Sequence, residues 1–240
     1  MSSLDVLLQN AAIWRGSENS RACAPAIASG FAALDERLGG WPQAALVELI
    51  PQREGVGELS ILLPALAKLS AEQRWIAFVN PPYIPYAPAF AAAGLDLAQV
   101  VVIRARGNAD TLWSTEQSLR SGACSAVLAW PGFLTERAIR RLQLAAETGR
   151  TLGICFAACG APVRTSPVPY RLRIDAHPGG MRLEILKRRG GGTGPPILLP
   201  LDNAGKTAPG GAFQSVPDAV AVPSFSPPSD RDLPAGGHSA

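Results

Sequence analysis

The chain has 240 residues, of which 47% are hydrophobic and 17% charged, with a formal net charge of +3. That is enough apolar material for one principal domain, and the mild basicity permits a nucleic-acid or acidic partner without demanding one. No run reaches the roughly 18 apolar residues of a membrane span, no secretory leader opens the chain, and the expected setting is cytoplasmic with reduced thiols.

Leu4, Leu7 and Leu8 share one helical stripe near the start, ahead of a polar, then Ala/Pro-rich linker. "FAALDERLGG" reads as a short helix stopped by Gly39 and Gly40. A regular alternation follows: strand 45–50, helix 57–70, strand 75–79, helix 85–94, strand 99–104, helix 109–122, strand 126–130, helix 134–149 and strand 151–157. The strands are short and apolar without alternation, as in a mainly parallel sheet covered by helices on both faces. Segments 170–174 and 181–189 alternate apolar and charged residues around "HPGG", which predicts an antiparallel edge hairpin. Residues 190–240 hold nine Gly and nine Pro, which predicts a disordered C-terminal tail with room for one short strand at 195–201. The fold class is therefore α/β, divided into an N-terminal helix and linker (1–30), a core (31–189) and the tail (190–240).

The loop "PQREGVGEL" follows the first core strand, where an α/β sheet binds phosphates. Gly55 and Gly57 suit such a loop, but Glu58 and Leu59 stand where phosphate chemistry needs Lys and Ser/Thr. A unit charge pair about 4 Å apart at an effective dielectric near 20 is worth ~4 kcal/mol, so reversing its sign costs roughly twice that. The strand 126–130 ends in Trp130 rather than a metal-binding acid, and Asn80, Pro81, Pro82 and Tyr83 supply no carboxylate to orient a water. The expectation is a degenerate nucleotide site, no cofactor and no enzyme activity. "DNAGKT" at 202–207 lacks the preceding glycine and a following helix. Cys155 and Cys159 lack the further ligands of a zinc site.

The strings "WRG", "GELSILLPAL", "PPYIPYAPA", "LRSGACSAVLAW" and "PVPYRLRI" resemble the ImuA family of translesion-synthesis-associated proteins, whose close relatives include the SulA-type cell-division inhibitors. The resemblance covers about residues 1–190. It implies a RecA-like core and a non-catalytic accessory role in SOS mutagenesis and DNA repair. It also implies three partners: RecA, an ImuB-type Y-family-like protein and an error-prone polymerase related to the replicative α subunit. The setting would be the cytoplasm, with nucleoid association during DNA damage. The alternative it leaves open is a SulA-type inhibitor that binds the tubulin-like FtsZ.

Candidate contacts follow from residue type. Tyr83 and Tyr86 lie on a Pro-rich loop that either meets a partner or fills the vacated pocket. Lys187, Arg188 and Arg189 end the hairpin and are the electrostatic candidates for a weak DNA contact or an acidic partner. The stripe Leu4, Leu7 and Leu8 packs on its own core or on a partner. Arg137, Arg140 and Arg141 read as a solvated helical face, and Trp75, Trp113 and Trp130 as core rather than a base-stacking surface.

Overall fold

A computed structural model describes residues 25–161 and 165–200, together with the backbone of 213–214. Leu4, Leu7, Leu8, Cys23 and "DNAGKT" lie outside the described residues, as does most of the segment read as a disordered tail; residues 190–200 are described and include β11. The strands are β1 (Ala26–Ile27), β2 (Trp41–Pro42), β3 (Leu46–Pro51), β4 (Trp75–Val79), β5 (Ile84–Pro85) and β6 (Val100–Ile103). They continue with β7 (Cys124–Ala129), β8 (Leu152–Phe156), β9 (Tyr170–His177), β10 (Gly180–Lys187), β11 (Ile197–Leu199) and β12 (Phe213–Gln214). The α-helices are α1 (Ala32–Leu38), α2 (Leu63–Ser70), α3 (Ala87–Ala92), α4 (Gly107–Arg120) and α5 (Glu136–Gly149).

One eight-stranded mixed sheet runs in the order β11-β10-β9-β3-β8-β7-β4-β6. From β9 to β6 every neighbouring pair is parallel, while β9–β10 and β10–β11 are antiparallel. The expected hairpin is therefore present, but β11 lies outside it as the edge strand. Two further two-stranded pairings, β1–β2 and β5–β12, were not legible in the sequence.

The strands bury both faces because alternate residues enter two different cores. Ile76, Phe78, Leu128, Ile154 and Leu172 pack with Leu34 of α1, Leu66 of α2 and Phe90 of α3. Ala77, Val79, Val127 and Cys155 pack on the opposite face with Leu119 of α4 and Ile139 and Leu142 of α5. Local signals set the helix ends. Gly39 takes a left-handed φ of 84° to stop α1, and Thr135 caps α5 by accepting from the Ala138 N–H.

Three expectations need correction. The helix expected from Gly57 starts only at Leu63, because Pro64 has no N–H and belongs in a first turn. Trp75 opens β4 at the sheet's amino edge and is 44% exposed, and Trp113 projects from α4 at 62%. Neither is core, whereas Trp130 is partly buried and packs against the core.

Candidate functional site

The carboxyl edge of the parallel strands brings together the loop after β3, the turn after β8 and the proline-rich loop after β4. Backbone bonds fix the β3 segment to the turn after β8 and to β9. Gln52 N–H donates to Ile174 O at 2.9 Å, Ala157 N–H to Leu49 O at 2.9 Å, and Gly160 N–H to Pro51 O at 3.0 Å. Arg53 reaches across to Asp175 at 3.2 Å. Within the loop, Gly55 and Gly57 take φ of 70° and 86°, left-handed values that explain glycine at both places.

The loop has left-handed glycines of the kind an anion cradle uses, and the amides of Gly57, Glu58, Ser60 and Leu62 are engaged within the chain. Ser60 N–H donates to Gly57 O at 2.8 Å, and Leu62 N–H to Leu59 O at 2.9 Å. The amides of Glu58 itself and of Gly57 hydrogen-bond the Glu58 carboxyl. Burial nevertheless pushes that carboxyl above its ordinary range, the two amides pull it back, and the Glu54 charge adds to the rise. Its Oε2 is buried without a hydrogen-bond partner. Leu59, at the expected metal-ligand position, is 4% exposed and belongs to the hydrophobic core.

Around this loop the local field is negative. Tyr83 Oη donates to Glu54 Oε2 at 3.1 Å, and that bond and charge raise the phenol's pKa. Burial, then Glu54 and Glu58, raise the Cys159 thiol. An incoming triphosphate meets carboxylates rather than an ammonium, and α2 starts too far along the chain to aim its N-terminus at the loop.

Beside the loop, aromatic side chains fill the sheet face. Trp130 stacks on Phe156 with centroids 4.4 Å apart, Phe78 lies 6.2 Å from Trp130, and Phe90 of α3 lies 5.3 Å from Phe78. This row spans β4, β7 and β8 and was not anticipated as a unit. Its sequence signal is the set of aromatics at or just past the carboxyl ends of those strands.

The site residues named from sequence separate into groups. Gly55, Gly57, Glu58, Leu59 and Tyr83 come together at this edge. Tyr83 turns its hydroxyl onto the β3 loop, whereas Tyr86 stays 44% exposed beside Ile84 at 46%. Lys187, Arg188 and Arg189 each have a partner within the chain. Lys187 Nζ donates to Ser166 O at 2.8 Å, Arg188 to the Arg37 carbonyl, and Arg189 Nη2 to Glu147 Oε1 at 3.3 Å. Each cation serves the chain's own packing. Arg141 of the helical basic face pairs with Glu116 of α4, which also pairs with Arg120 on its own helix. Among the described residues no cluster of His, Cys, Asp or Glu is arranged to hold a metal ion, and no helix is long and apolar enough to cross a membrane.

Comparison with known proteins matches residues 47–153, from β3 into β8, to the family model "Cell division inhibitor SulA". Over 114 residues the chain is 32% identical to the cell division inhibitor SulA of Edwardsiella piscicida, covering 47% of this chain and 68% of that protein. It is 34% identical over 113 residues to that of Pectobacterium carotovorum, covering 47% and 65%. It is 29% identical over 154 residues to that of Pectobacterium atrosepticum, covering 64% and 84%. A crystal structure of SulA from Pseudomonas aeruginosa aligns at 26% identity, covering 49% of this chain and all of that one, with a TM-score of 0.40.

These matches correct the main functional expectation. The family model and these relatives are cell division inhibitors, so translesion synthesis, DNA repair and the partners RecA, an ImuB-type protein and an error-prone polymerase do not stand. Of the strings that carried the resemblance, "GELSILLPAL", "PPYIPYAPA" and "LRSGACSAVLAW" lie inside the segment matched to the cell division inhibitors. The N-terminal segment and the tail fall outside the matched segment and largely outside the described residues. With a relative matched at 32% identity across 68% of its length, the chain belongs to the SulA family of cell division inhibitors.

Proposed function

We propose that this chain is a non-catalytic, SOS-induced inhibitor of cell division that binds the tubulin-like FtsZ in the cytoplasm. The observation that carries this reading is the family match running through the parallel core from β3 into β8. The β3 loop supports its non-catalytic part: Leu59 is buried, and Glu58 and Glu54 place carboxyl groups where a phosphate loop needs a cation. We read the core as RecA-like in shape, with β3 in mid-sheet, crossover helices on both faces and the vestigial loop at the carboxyl edge. In this proposal residues 31–189 are the acting unit. Because β11 pairs with β10, a truncation for functional work belongs after Leu199 rather than at 190.

The test is expression in a RecA-deficient host without DNA damage. Filamentous cells, restored to normal division by an FtsZ variant selected for resistance to the chain, support the proposal. Normal division at a verified level of folded, soluble protein overturns it.

A further inference from the structure

The loop after β4 is built as a fixed, extended edge. Pro81, Pro82 and Pro85 limit its backbone. Two clamps hold it, one from the β3 loop and one from the end of β6. Tyr83 Oη donates to Glu54 Oε2 at 3.1 Å, and Arg104 Nη1 donates to Pro81 O at 2.6 Å. Tyr86, just before α3, is still extended, with φ of −82° and ψ of 96°. β5 joins no strand of the large sheet, and Ile84 and Tyr86 are 46% and 44% exposed. A pre-organised extended segment outside any larger sheet accepts a strand at little ordering cost.

The strand it accepts comes from this chain. β12 pairs antiparallel with β5, Phe213 opposite Pro85 and Gln214 opposite Ile84. Pro85 has no N–H, so the hydrogen-bonded pair of this ladder is Ile84 with Gln214.

Topology supplies the reach. β11 is antiparallel to β10, and β10 to β9, whereas β9 is parallel to β3. β11 therefore ends at Leu199 on the carboxyl edge, the same edge that carries the β4 loop. From β11 to β4 there are six strand spacings, about 29 Å at ~4.8 Å each. Residues 200–212, fully extended, reach about 45 Å. A linker of that length presents its end to a site within reach at roughly millimolar effective concentration, which suits a contact as small as β12.

We propose that β5 is a peptide-docking edge that the chain's own Phe213–Gln214 segment occupies intramolecularly, and that this occupation closes the edge to other extended peptides. The inference stands apart from the inhibitor reading and is tested without FtsZ. Hydrogen exchange on the full chain reads it at the Ile84 amide, which donates to Gln214 in the bonded pair. Gln214→Pro removes the other N–H of that pair, and the Ile84 amide is expected to exchange about ten-fold faster than in wild type, as when about nine chains in ten are docked. Gln214→Ala keeps the N–H and is expected to keep the protection. Circular dichroism checks that each variant folds. A peptide of residues 210–217, added at several millimolar, is expected to restore protection in Gln214→Pro and to leave wild type unchanged. Equal Ile84 exchange in wild type and folded Gln214→Pro overturns the proposal. So does a peptide that fails to protect the variant, or that acts equally on wild type. Protection that rises with chain concentration also overturns it, because the segment then docks on a second copy.

Discussion

Replacing Arg171 with methionine tests whether the ion pair between β3 and β9 is as enclosed as its packing indicates. Glu48 of β3 and Arg171 of β9 stand opposite each other in the parallel ladder, and Arg171 Nε donates to Glu48 Oε2. Their side chains are only 12% and 8% exposed. Glu48 is also in register with Cys155 of β8, whose thiol is pushed up to about 12 by burial and, secondarily, by the Glu48 charge. Removing the guanidinium leaves a carboxylate in that setting without its principal partner, at a cost of about 3–5 kcal/mol. For a domain of roughly 150–250 residues each kcal/mol moves Tm by about 2–4 °C, so Arg171→Met is expected to melt about 6–20 °C below wild type. The double variant Glu48→Met, Arg171→Met removes both charges and fills the space, and is expected within about 1 kcal/mol of wild type or above it. Calorimetry or circular dichroism melts at pH 7 give the complete double-mutant cycle once Glu48→Met is added. A single-variant cost below about 1 kcal/mol, the level of an exposed pair, would refute the enclosed-pair reasoning.

Three further outcomes follow from the same physics. Glu58 has a raised carboxyl pKa in the fold, so its contribution to stability is complete below the unfolded value of 4.5 and is lost as pH rises through the folded value. Glu58→Gln is therefore expected to melt above wild type at pH 7, with the advantage shrinking to nothing near pH 4; a difference independent of pH would contradict the burial of Glu58. A Cβ on Gly149 would lie 1.9 Å from Leu119 O, where α5 ends against α4, so Gly149→Ala is expected to cost about 3 kcal/mol in denaturant melts. Native thiol labelling read by peptide mass spectrometry is expected to modify Cys159 and spare Cys124 and Cys155, which are buried; equal labelling of all three would show the sheet to be open.

The parallel core was legible because its strands are apolar on both faces, as Ile76–Val79 and Ala126–Ala129 show, and because glycines close several helices. The late start of α2 was also written in the sequence, in Pro64, but the apolar stripe from Leu59 to Leu69 continues through it and hides the boundary. Two-residue pairings such as Ile27 with Trp41 have no local period and depend on chain segments meeting in space. The exposure of Trp75 and Trp113 escaped because residue type alone does not reveal which end of a strand, or which side of a helix, lacks a cover. At the site, the unfavourable chemistry of Glu58 and Leu59 could be read directly. The internal bonding of the loop amides and the Phe156–Trp130–Phe78–Phe90 row could not, since both require the register of separate strands. The intrachain partners of the basic run 187–189, Ser166, Arg37 and Glu147, were not legible either, because they come from distant parts of the chain.

The central claim is tested most directly by mixing the purified chain with purified FtsZ and following polymer sedimentation, while ATP turnover by the chain alone is assayed in parallel. The account predicts that the pelleted FtsZ falls as the chain approaches equimolar amounts, with a soluble complex of the two recovered and no ATP hydrolysed above background. Undiminished FtsZ pelleting with no complex at excess folded chain would contradict it.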